Sequence, residues 1–323
     1  MIAGAPARSL PAVRLLPDPR SLRRFCHQTA RIAVGCLHAE LVLHPKPGLV
    51  SLVDNGSHAD MTAATFMRSL FALRHYFALI CRAGIDAAPF SVLKQLGIDA
   101  EARMLRATHG VNTHRGAVFC LGMLCAAIGR AHAQGVSQGV LPDVSQDMSP
   151  GAALGGDRLR AVMLNCWGDA LAGHARTAGT ASHGLQVAQV HAASGAREEA
   201  ALGLPSVFDV GLPVLRRTLA AGRGMHLARI DALFALMAHV SDTNVFYRGG
   251  AVGALTVKQQ AGGFVAMGGT AHPHWHAYAL ECHRRFVEQK LSPGGAADLL
   301  AATCLVHAVT GGAWCEAVGV TLS

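Results

Sequence analysis

Apolar residues recur every three to four positions along almost the whole chain, and this spacing restricts the fold more than any other feature. The segment 21–43 shows it clearly, with Ile32, Cys36, Leu37 and Leu41 on one face of a helix. No segment alternates apolar and polar residues in the manner of a half-buried strand. Aromatic residues make up only 5% of the chain, while Ala and Leu are abundant, which favours helix over sheet. The sequence therefore predicts an all-α fold.

The chain of 323 residues is long enough to bury one large core. We predict a flexible N-terminal segment, 1–20, and a single multi-helix domain, 21–323, whose polar Gly-rich loops form one active-site cleft. Residues 134–156 are rich in Gly, Pro, Ser and Gln and predict a flexible surface connection. The predicted helices are 21–43, 62–83, 90–107 with a break near Gly97, 115–133, 157–176, 206–221, 226–240, 251–267, 273–290 and 296–310.

The net charge of +8 indicates anionic ligands, either nucleic acid or phosphorylated small molecules. Basic residues form no blocks beyond the Arg-rich first thirty residues, and aromatic residues are not interleaved with them, which argues against nucleic acid. Charged or His residues interrupt every apolar stretch before about 18 residues, so we predict no membrane span. The nine cysteines include no CxxC pair and fit reduced, buried thiols in a cytoplasmic protein.

The first polar loop, 45–61, could carry chemistry. Its prolines would fix the direction of Lys46, a compact charge that suits a phosphate group. Asp54, His58 and Asp60 offer metal ligands or a base. The simpler interpretation is that the prolines end one helix and Asp60 caps the next.

Two further loops open helices. Gly110–Gly116 places Asn112, Thr113 and Arg115 at a helix N-terminus, which is a ready anion site; the alternative is an ordinary helix cap. Residues 194–200 place Arg197 beside Glu198 and Glu199, which could hold a metal ion that bridges to a phosphate. The alternative here is a capping box with a solvated acidic first turn.

Two other segments are polar without being specific, 242–250 and 292–298. The common signatures of P-loop, dinucleotide-binding, zinc-protease and α/β-hydrolase proteins are absent from the sequence. These loops and segments together carry the motifs Pro45-Lys46-Pro47-Gly48-Leu49-Val50, Gly56-Ser57-His58-Ala59-Asp60-Met61, Gly110-Val111-Asn112-Thr113-His114-Arg115-Gly116-Ala117, Gly195-Ala196-Arg197-Glu198-Glu199-Ala200, Asp242-Thr243-Asn244 and Pro293-Gly294-Gly295-Ala296-Ala297-Asp298-Leu299-Leu300.

In their order and spacing these motifs resemble the triphosphoribosyl-dephospho-CoA synthase family over residues 30–310. The resemblance implies transfer of the triphosphoribosyl part of ATP to the 2′-hydroxyl of 3′-dephospho-CoA, with release of adenine. It also implies a helical, magnesium-using enzyme. Its product would pass to a holo-acyl-carrier-protein synthase and become the prosthetic group of malonate decarboxylase or citrate lyase.

The chain departs from the family pattern at Ser51, where Asp is frequent, and at Glu198, where the citrate lyase branch usually has Gly. Residues 50–58 and the Glu198-Glu199 pair resemble the malonate decarboxylase branch more closely. We expect ATP and 3′-dephospho-CoA as small-molecule partners, no nucleic acid and no membrane. The sequence is also compatible with a homo-oligomer.

The resemblance and the charge pattern together give a set of predicted site residues. For catalysis and for magnesium we predict Asp60, Glu199 and Asp242, with His58 as an alternative base. For substrate and phosphate contacts we predict Lys46, Gly48, Asn112, Thr113, His114, Arg115, Ser194, Arg197, Asn244, Arg248, Gly294 and Gly295. We expect these loops to converge on one cleft.

Two other functions compete with this prediction. One is a helical, metal-dependent N-glycosyl or ADP-ribosyl-type hydrolase, which would pass the ribosyl group to water and release adenine without dephospho-CoA. The other is a non-catalytic helical protein that binds nucleic acid, whose affinity would depend steeply on salt.

Overall fold

A computed structural model of the protein describes residues 18–137, 154–177 and 195–311. In these ranges every regular element is helical and no strand is present, which confirms the all-α prediction. A π-helix, Ser206–Gly211, and a short 3₁₀ helix, Gly269–Ala271, accompany the α-helices. The α-helices are α1 Pro19–Leu41, α2 Ala63–Leu73, α3 Tyr76–Ile85, α4 Phe90–Ala107, α5 Arg115–Ser137, α6 Gly156–Thr177, α7 Ala196–Ala201, α8 Leu212–Ala220, α9 Gly224–His239, α10 Thr243–Ala266, α11 Trp275–Glu288 and α12 Gly294–Thr310.

One hydrophobic core joins the described helices, and α5 and α12 lie at its centre. Leu300 and Leu305 of α12 are completely buried, and each buried Leu side chain contributes about 1.5–3 kcal/mol. Helix α5 packs closely against α3, where a Cβ on Gly84 would lie only 2.0 Å from the carbonyl oxygen of Ala126. A larger residue at 84 would therefore force these two helices apart.

Helix α5 is as long and as apolar as a membrane-spanning helix. Its segment Arg115–Gly135 is the one helix of the described ranges that is long and apolar enough to cross a membrane, with a mean hydropathy of 1.4. Arg130 and His132 interrupt this segment, as predicted, but the segment is still apolar enough to qualify by length and composition. However, 78% of the window is buried inside the protein, as expected of a core helix.

Two predicted helices differ from the structure in their continuity. The segment predicted as one helix over 62–83 is divided at residues 74–75 into α2 and α3, and the Arg74 guanidinium donates to the carbonyl oxygen of Phe71, 2.6 Å away, at the end of α2. The break predicted near Gly97 is absent, since α4 is continuous. A glycine inside a helix costs only about 1 kcal/mol, and burial of Leu93 and Met104 on the same helix outweighs it.

The polar segment 242–250, predicted as a loop, is helical from Thr243. Asp242 caps α10, and the helix is interrupted only at Gly250, where φ is 60°. Helix α1 begins at Pro19, two positions before its predicted start, and α5 continues to Ser137 into the predicted surface connection. Cys166, predicted as a buried thiol, is exposed, whereas seven other described cysteines are buried and all eight are unpaired.

Candidate active site

The N-termini of α7, α10 and α12 meet around a narrow cavity of about 30 Å³, and α5 contributes Cys120 to its lining. A helix start carries partial positive charge, so it stabilises carboxylates and anionic ligands. Three acidic side chains nevertheless dominate the lining, and we call this space the carboxylate cavity. It is lined by Cys120, Gly195, Ala196, Glu199, Val240, Asp242, Thr243, Gly295, Asp298 and Leu299.

Asp242 lies in the wall of the carboxylate cavity and caps two helices at once. Its Oδ1 accepts from the backbone N–H of Asn244 at 2.9 Å, at the start of α10. Its Oδ2 accepts from the N–H groups of Gly295 at 2.7 Å and Ala296 at 3.2 Å, at the start of α12. Burial raises the pKa of Asp242, and these N–H groups partly offset the rise. Both oxygens are therefore committed to holding the helix starts together.

Glu199 is also buried and is held by a single neighbour. The hydroxyl of Ser206 donates to its Oε1 at 2.5 Å, and the backbone N–H of Ser206 donates to its Oε2 at 3.2 Å. These bonds connect α7 to the π-helix. The adjacent Glu198 accepts from the N–H of Gly195 at 2.9 Å and so caps α7, which agrees with the capping alternative for this motif.

Asp298 is the third carboxylate of the cavity, and the sequence analysis gave it no role. It follows Gly295 by about one helical turn in α12, so both face the same side. That spacing was the signal that could have identified it. Burial, together with the charges of Glu40 and Asp242, holds the pKa of Asp298 well above its usual range.

Cys120 provides a thiol to the cavity but is poorly suited to act as a nucleophile. It is completely buried, and burial together with the charges of Asp298 and Glu199 raises its pKa well above the usual range. The thiol is therefore protonated at neutral pH, whereas nucleophilic cysteines require the thiolate.

Three predicted residues, His58, Asp60 and Arg248, come together with the buried Ser292 nearer the surface, and we call these four residues the His58 cluster. The Nε2 of His58 lies 2.8 Å from the hydroxyl of Ser292, and its Nδ1 lies 3.0 Å from Nη2 of Arg248. Asp60 is more distant, 3.7 Å from Nδ1, and its side chain is mostly exposed. Burial and the charge of Arg248 lower the pKa of His58, so this imidazole is a weak base.

Lys46 does not reach either group of residues. Its side chain is 1% exposed, and its Nζ donates to the carboxylate of Glu40 at 2.5 Å and to the backbone oxygen of Glu40 at 2.8 Å. Burial lowers the pKa of Lys46, and the facing carboxylate partly offsets this. This geometry does not support the predicted phosphate contact, because the ammonium group is enclosed and already paired.

The loop before α5 separates into a buried part and an exposed part. His114 is buried, with its Nδ1 2.7 Å from the hydroxyl of Ser69, and burial and the charge of Lys46 lower its pKa to about 3. A neutral, enclosed imidazole is a poor phosphate ligand, so the prediction for His114 is not supported. Asn112 caps α5 through the N–H of Arg115 at 3.1 Å, and the exposed side chain of Arg115 pairs with Glu101.

Two buried atoms of this loop have no hydrogen-bond partner: Nε2 of His114 and Oγ1 of Thr113.

The other residues predicted to contact substrate are dispersed over the structure. Arg197 is exposed at the start of α7, and Asn244 is exposed beside Gly294. Gly48 has a φ of 69° and packs against the carbonyl oxygen of Leu291, so its role is structural. Ser194 lies outside the described residues.

The predicted cleft is therefore formed only in part. The carboxylate cavity brings together Glu199, Asp242 and Gly295, and the His58 cluster brings together His58, Asp60 and Arg248. The segment 292–298 joins the two, since Ser292 contacts His58 and Gly295 contacts Asp242. Lys46 and Arg115 belong to neither.

The predicted magnesium ligands are not assembled in this structure. Among the described residues, no group of three or more His, Cys, Asp or Glu side chains could hold a metal ion. Asp60 belongs to the His58 cluster, while the oxygens of Glu199 and Asp242 already accept hydrogen bonds from the protein. The set Asp60, Glu199 and Asp242 therefore has no support as a metal site.

Comparison with known proteins gives a match to one family model, described as CitG, ATP:dephospho-CoA triphosphoribosyl transferase, over residues 26–316. Three similar proteins are each named probable 2-(5''-triphosphoribosyl)-3'-dephosphocoenzyme-A synthase. The protein from Acinetobacter calcoaceticus is 36% identical over 272 residues, which cover 84% of this chain and 87% of its own length.

The protein from Pseudomonas fluorescens (strain Pf0-1) is 37% identical over 303 residues, covering 92% of this chain and 96% of its own. The protein from Pseudomonas aeruginosa (strain UCBPP-PA14) is 39% identical over 292 residues, covering 88% of this chain and 92% of its own. No solved structure gives a significant match.

Proposed function

We propose, from the premise that this chain belongs to the ATP:dephospho-CoA triphosphoribosyl transferase family, that it joins the triphosphoribosyl group of ATP to dephospho-CoA. Family membership makes the protein an enzyme, a transferase. The acceptor atom is the 2′-hydroxyl oxygen of 3′-dephospho-CoA, and adenine is released. The observation that carries the proposal is the family match, which spans residues 26–316 and so includes both the carboxylate cavity and the His58 cluster.

The cations around the site are suited to the phosphate groups of both substrates. Arg248 lies in the His58 cluster, and Arg197 is exposed directly after Ala196, which lines the carboxylate cavity. Arginine forms bidentate bonds with phosphate, and these side chains are exposed to an incoming ligand. We assign the triphosphate and pyrophosphate contacts to these two residues, with Arg115 at the start of α5 as a further candidate.

We also propose that ATP enters as its magnesium complex. Magnesium binds readily to substrate phosphates while keeping several waters, so it does not need a dedicated protein cage. When bound, the ion would neutralise part of the triphosphate charge. The chain's own residues then bind and orient the nucleotide.

The reaction we propose is a single displacement at C1′ of the ATP ribose. The 2′-oxygen of dephospho-CoA attacks, and the C1′–N9 bond breaks as adenine leaves. We assign no covalent role to Cys120, because its buried, protonated thiol is not an activated nucleophile. Holding both nucleotides in line supplies much of the rate, since orientation alone is worth several kcal/mol. A carboxylate accepts the hydroxyl proton.

The product's destination follows from the branch resemblance. We propose that a holo-acyl-carrier-protein synthase takes it up and attaches it to the carrier subunit of malonate decarboxylase. The motifs at 50–58 and the Glu198-Glu199 pair support this branch over citrate lyase. The unpaired described cysteines support a reducing, cytoplasmic location.

The test is incubation of the purified protein with ATP, magnesium and 3′-dephospho-CoA, followed by mass analysis. We expect one product whose mass equals the two substrates minus adenine, and free adenine in equal amount. Omission of dephospho-CoA is the control. Adenine release at full rate without dephospho-CoA would favour the hydrolase instead.

A further inference from the structure

Asp298 differs from the other two carboxylates of the cavity in how its oxygens are used. Both oxygens of Asp242 and both of Glu199 accept hydrogen bonds at 2.5–3.2 Å. In the part of the chain that the structure describes, no side chain donates a hydrogen bond to Asp298. The backbone N–H of Ala117 favours its charged form, but this is the one group that does so. Asp298 thus retains lone pairs for a ligand.

The position of Asp298 is fixed by close packing against the start of α5. A Cβ on Gly116 would lie 2.2 Å from Oδ2 of Asp298, so only a glycine leaves space for this carboxylate. Its Cα is anchored in α12, whose first turns are buried. The side chain is half-buried and lines the cavity, which holds its oxygens in place while keeping them reachable.

The surroundings of Asp298 make it a better base than an exposed aspartate. Glu40 of α1 and Asp242, which precedes α10, place like charges nearby, while Cys120 of α5 and Glu199 of α7 line the same cavity. Burial and the charges of Glu40 and Asp242 raise the pKa of Asp298 well above its usual range, so its carboxylate binds a proton more tightly than an exposed aspartate does.

The size of the cavity limits which part of a substrate can reach Asp298. A volume of about 30 Å³ accommodates roughly one water-sized group. A hydroxyl group fits this space, whereas a purine base or a triphosphate does not. The geometry therefore favours contact with the attacking hydroxyl over contact with adenine or phosphate.

We propose that Asp298 is the base that accepts the proton of the dephospho-CoA 2′-hydroxyl, an assignment that rests on the proposed function. As the 2′-oxygen forms its bond to C1′, the hydroxyl proton moves to a carboxylate oxygen of Asp298. The electron pair of the C1′–N9 bond leaves with adenine, which takes a proton from water. Asp298 then returns its proton to water, so the reaction neither gains nor loses a proton overall.

Asp298→Asn tests this assignment, because the amide has nearly the same shape but cannot accept the proton. We expect kcat to fall by about 10²–10⁴-fold. The KM values for ATP and dephospho-CoA and the melting temperature should stay close to those of the wild type. Asp169→Asn, an exposed carboxylate of α6, is the matched control and should keep the wild-type kcat.

A second variant separates chemistry from structure. Asp298→Ala leaves a space that formate can enter, and added formate should restore part of kcat in this variant but not in the wild type. A kcat of Asp298→Asn within a few-fold of wild type would overturn the assignment. So would loss of ATP binding in both variants without formate rescue. If the wild type itself makes no triphosphoribosyl-dephospho-CoA, the proposed function fails first.

Discussion

The carboxylate cavity and the His58 cluster lie at the two ends of the segment 292–298, yet they are built in opposite ways. In the cavity, buried Asp242 and Glu199 bind backbone N–H groups and a serine hydroxyl. In the cluster, His58 binds the side chains of Arg248 and Ser292 near the surface. Removing Asp242 or Glu199 therefore disturbs the fold, whereas removing a cluster side chain disturbs mainly its neighbours.

From this difference we expect the two regions to have different roles in the reaction. Carboxylates locked by helix starts keep reacting atoms in fixed positions, which displacement at C1′ requires. An exposed arginine held by a histidine can adjust to a flexible, highly charged group such as a triphosphate. We expect changes to the hydrogen-bonded carboxylates of the cavity, and to the ion pair behind it, to affect stability strongly, and changes in the cluster to affect ligand binding.

The largest effect on stability is expected for Lys46→Met, behind the cavity. It leaves the buried carboxylate of Glu40 without its partner, and breaking a buried ion pair costs about 3–5 kcal/mol. Chemical denaturation would measure the free energy of unfolding. The double variant Lys46→Met with Glu40→Gln is the control and should recover much of the loss. A single variant as stable as wild type would contradict the enclosed pairing.

The next largest effect is the loss of folding stability at low pH, which we attribute to His114. Its pKa of about 3 lies below the ordinary value of 6.5, so the unfolded chain binds the proton first. The stability contributed by neutral His114 is complete above pH 6.5 and decreases as the pH falls toward 3. Between pH 6.5 and 4 the loss should reach about 3 kcal/mol. His114→Asn, which can keep the bond to Ser69, should flatten this dependence in denaturation measurements.

Asp242→Ala should lower stability less than the two effects above. The backbone N–H groups that Asp242 binds form hydrogen bonds with water once the chain unfolds, and this offsets part of the loss. Loss of two helix caps predicts a decrease of about 2 kcal/mol in the free energy of unfolding. Asp18→Ala, which removes the exposed cap of α1, is the matched comparison and should cost less. Equal losses in the two variants would show that Asp242 does not hold both α10 and α12.

The smallest effect on stability is expected for Arg248→Ala in the His58 cluster. The change in unfolding free energy should stay within about 0.5 kcal/mol, as for other surface substitutions. Removal of the neighbouring positive charge should raise the pKa of His58, which an NMR titration would detect. If Arg248 binds the triphosphate, the Kd for ATP should rise by about tenfold. An unchanged Kd would remove Arg248 from the site.

The sequence was sufficient for the helical fold and the family, because both depend on patterns spread over the whole chain. It could not show that Lys46 is paired with Glu40, since a lysine between two prolines has the same local signal whether it faces solvent or the core. Asp298 was missed because its importance depends on its distance from Gly116 of α5, which lies far away in sequence.

The anomeric configuration at the transferred ribose tests the central claim most directly, which is direct displacement at C1′ by the dephospho-CoA hydroxyl. NMR of the product formed from ATP, magnesium and dephospho-CoA would determine it. The account predicts inversion, so the β-linked ribose of ATP becomes α-linked in the product. Retention of the β configuration would require a covalent ribosyl-enzyme intermediate and would contradict the account.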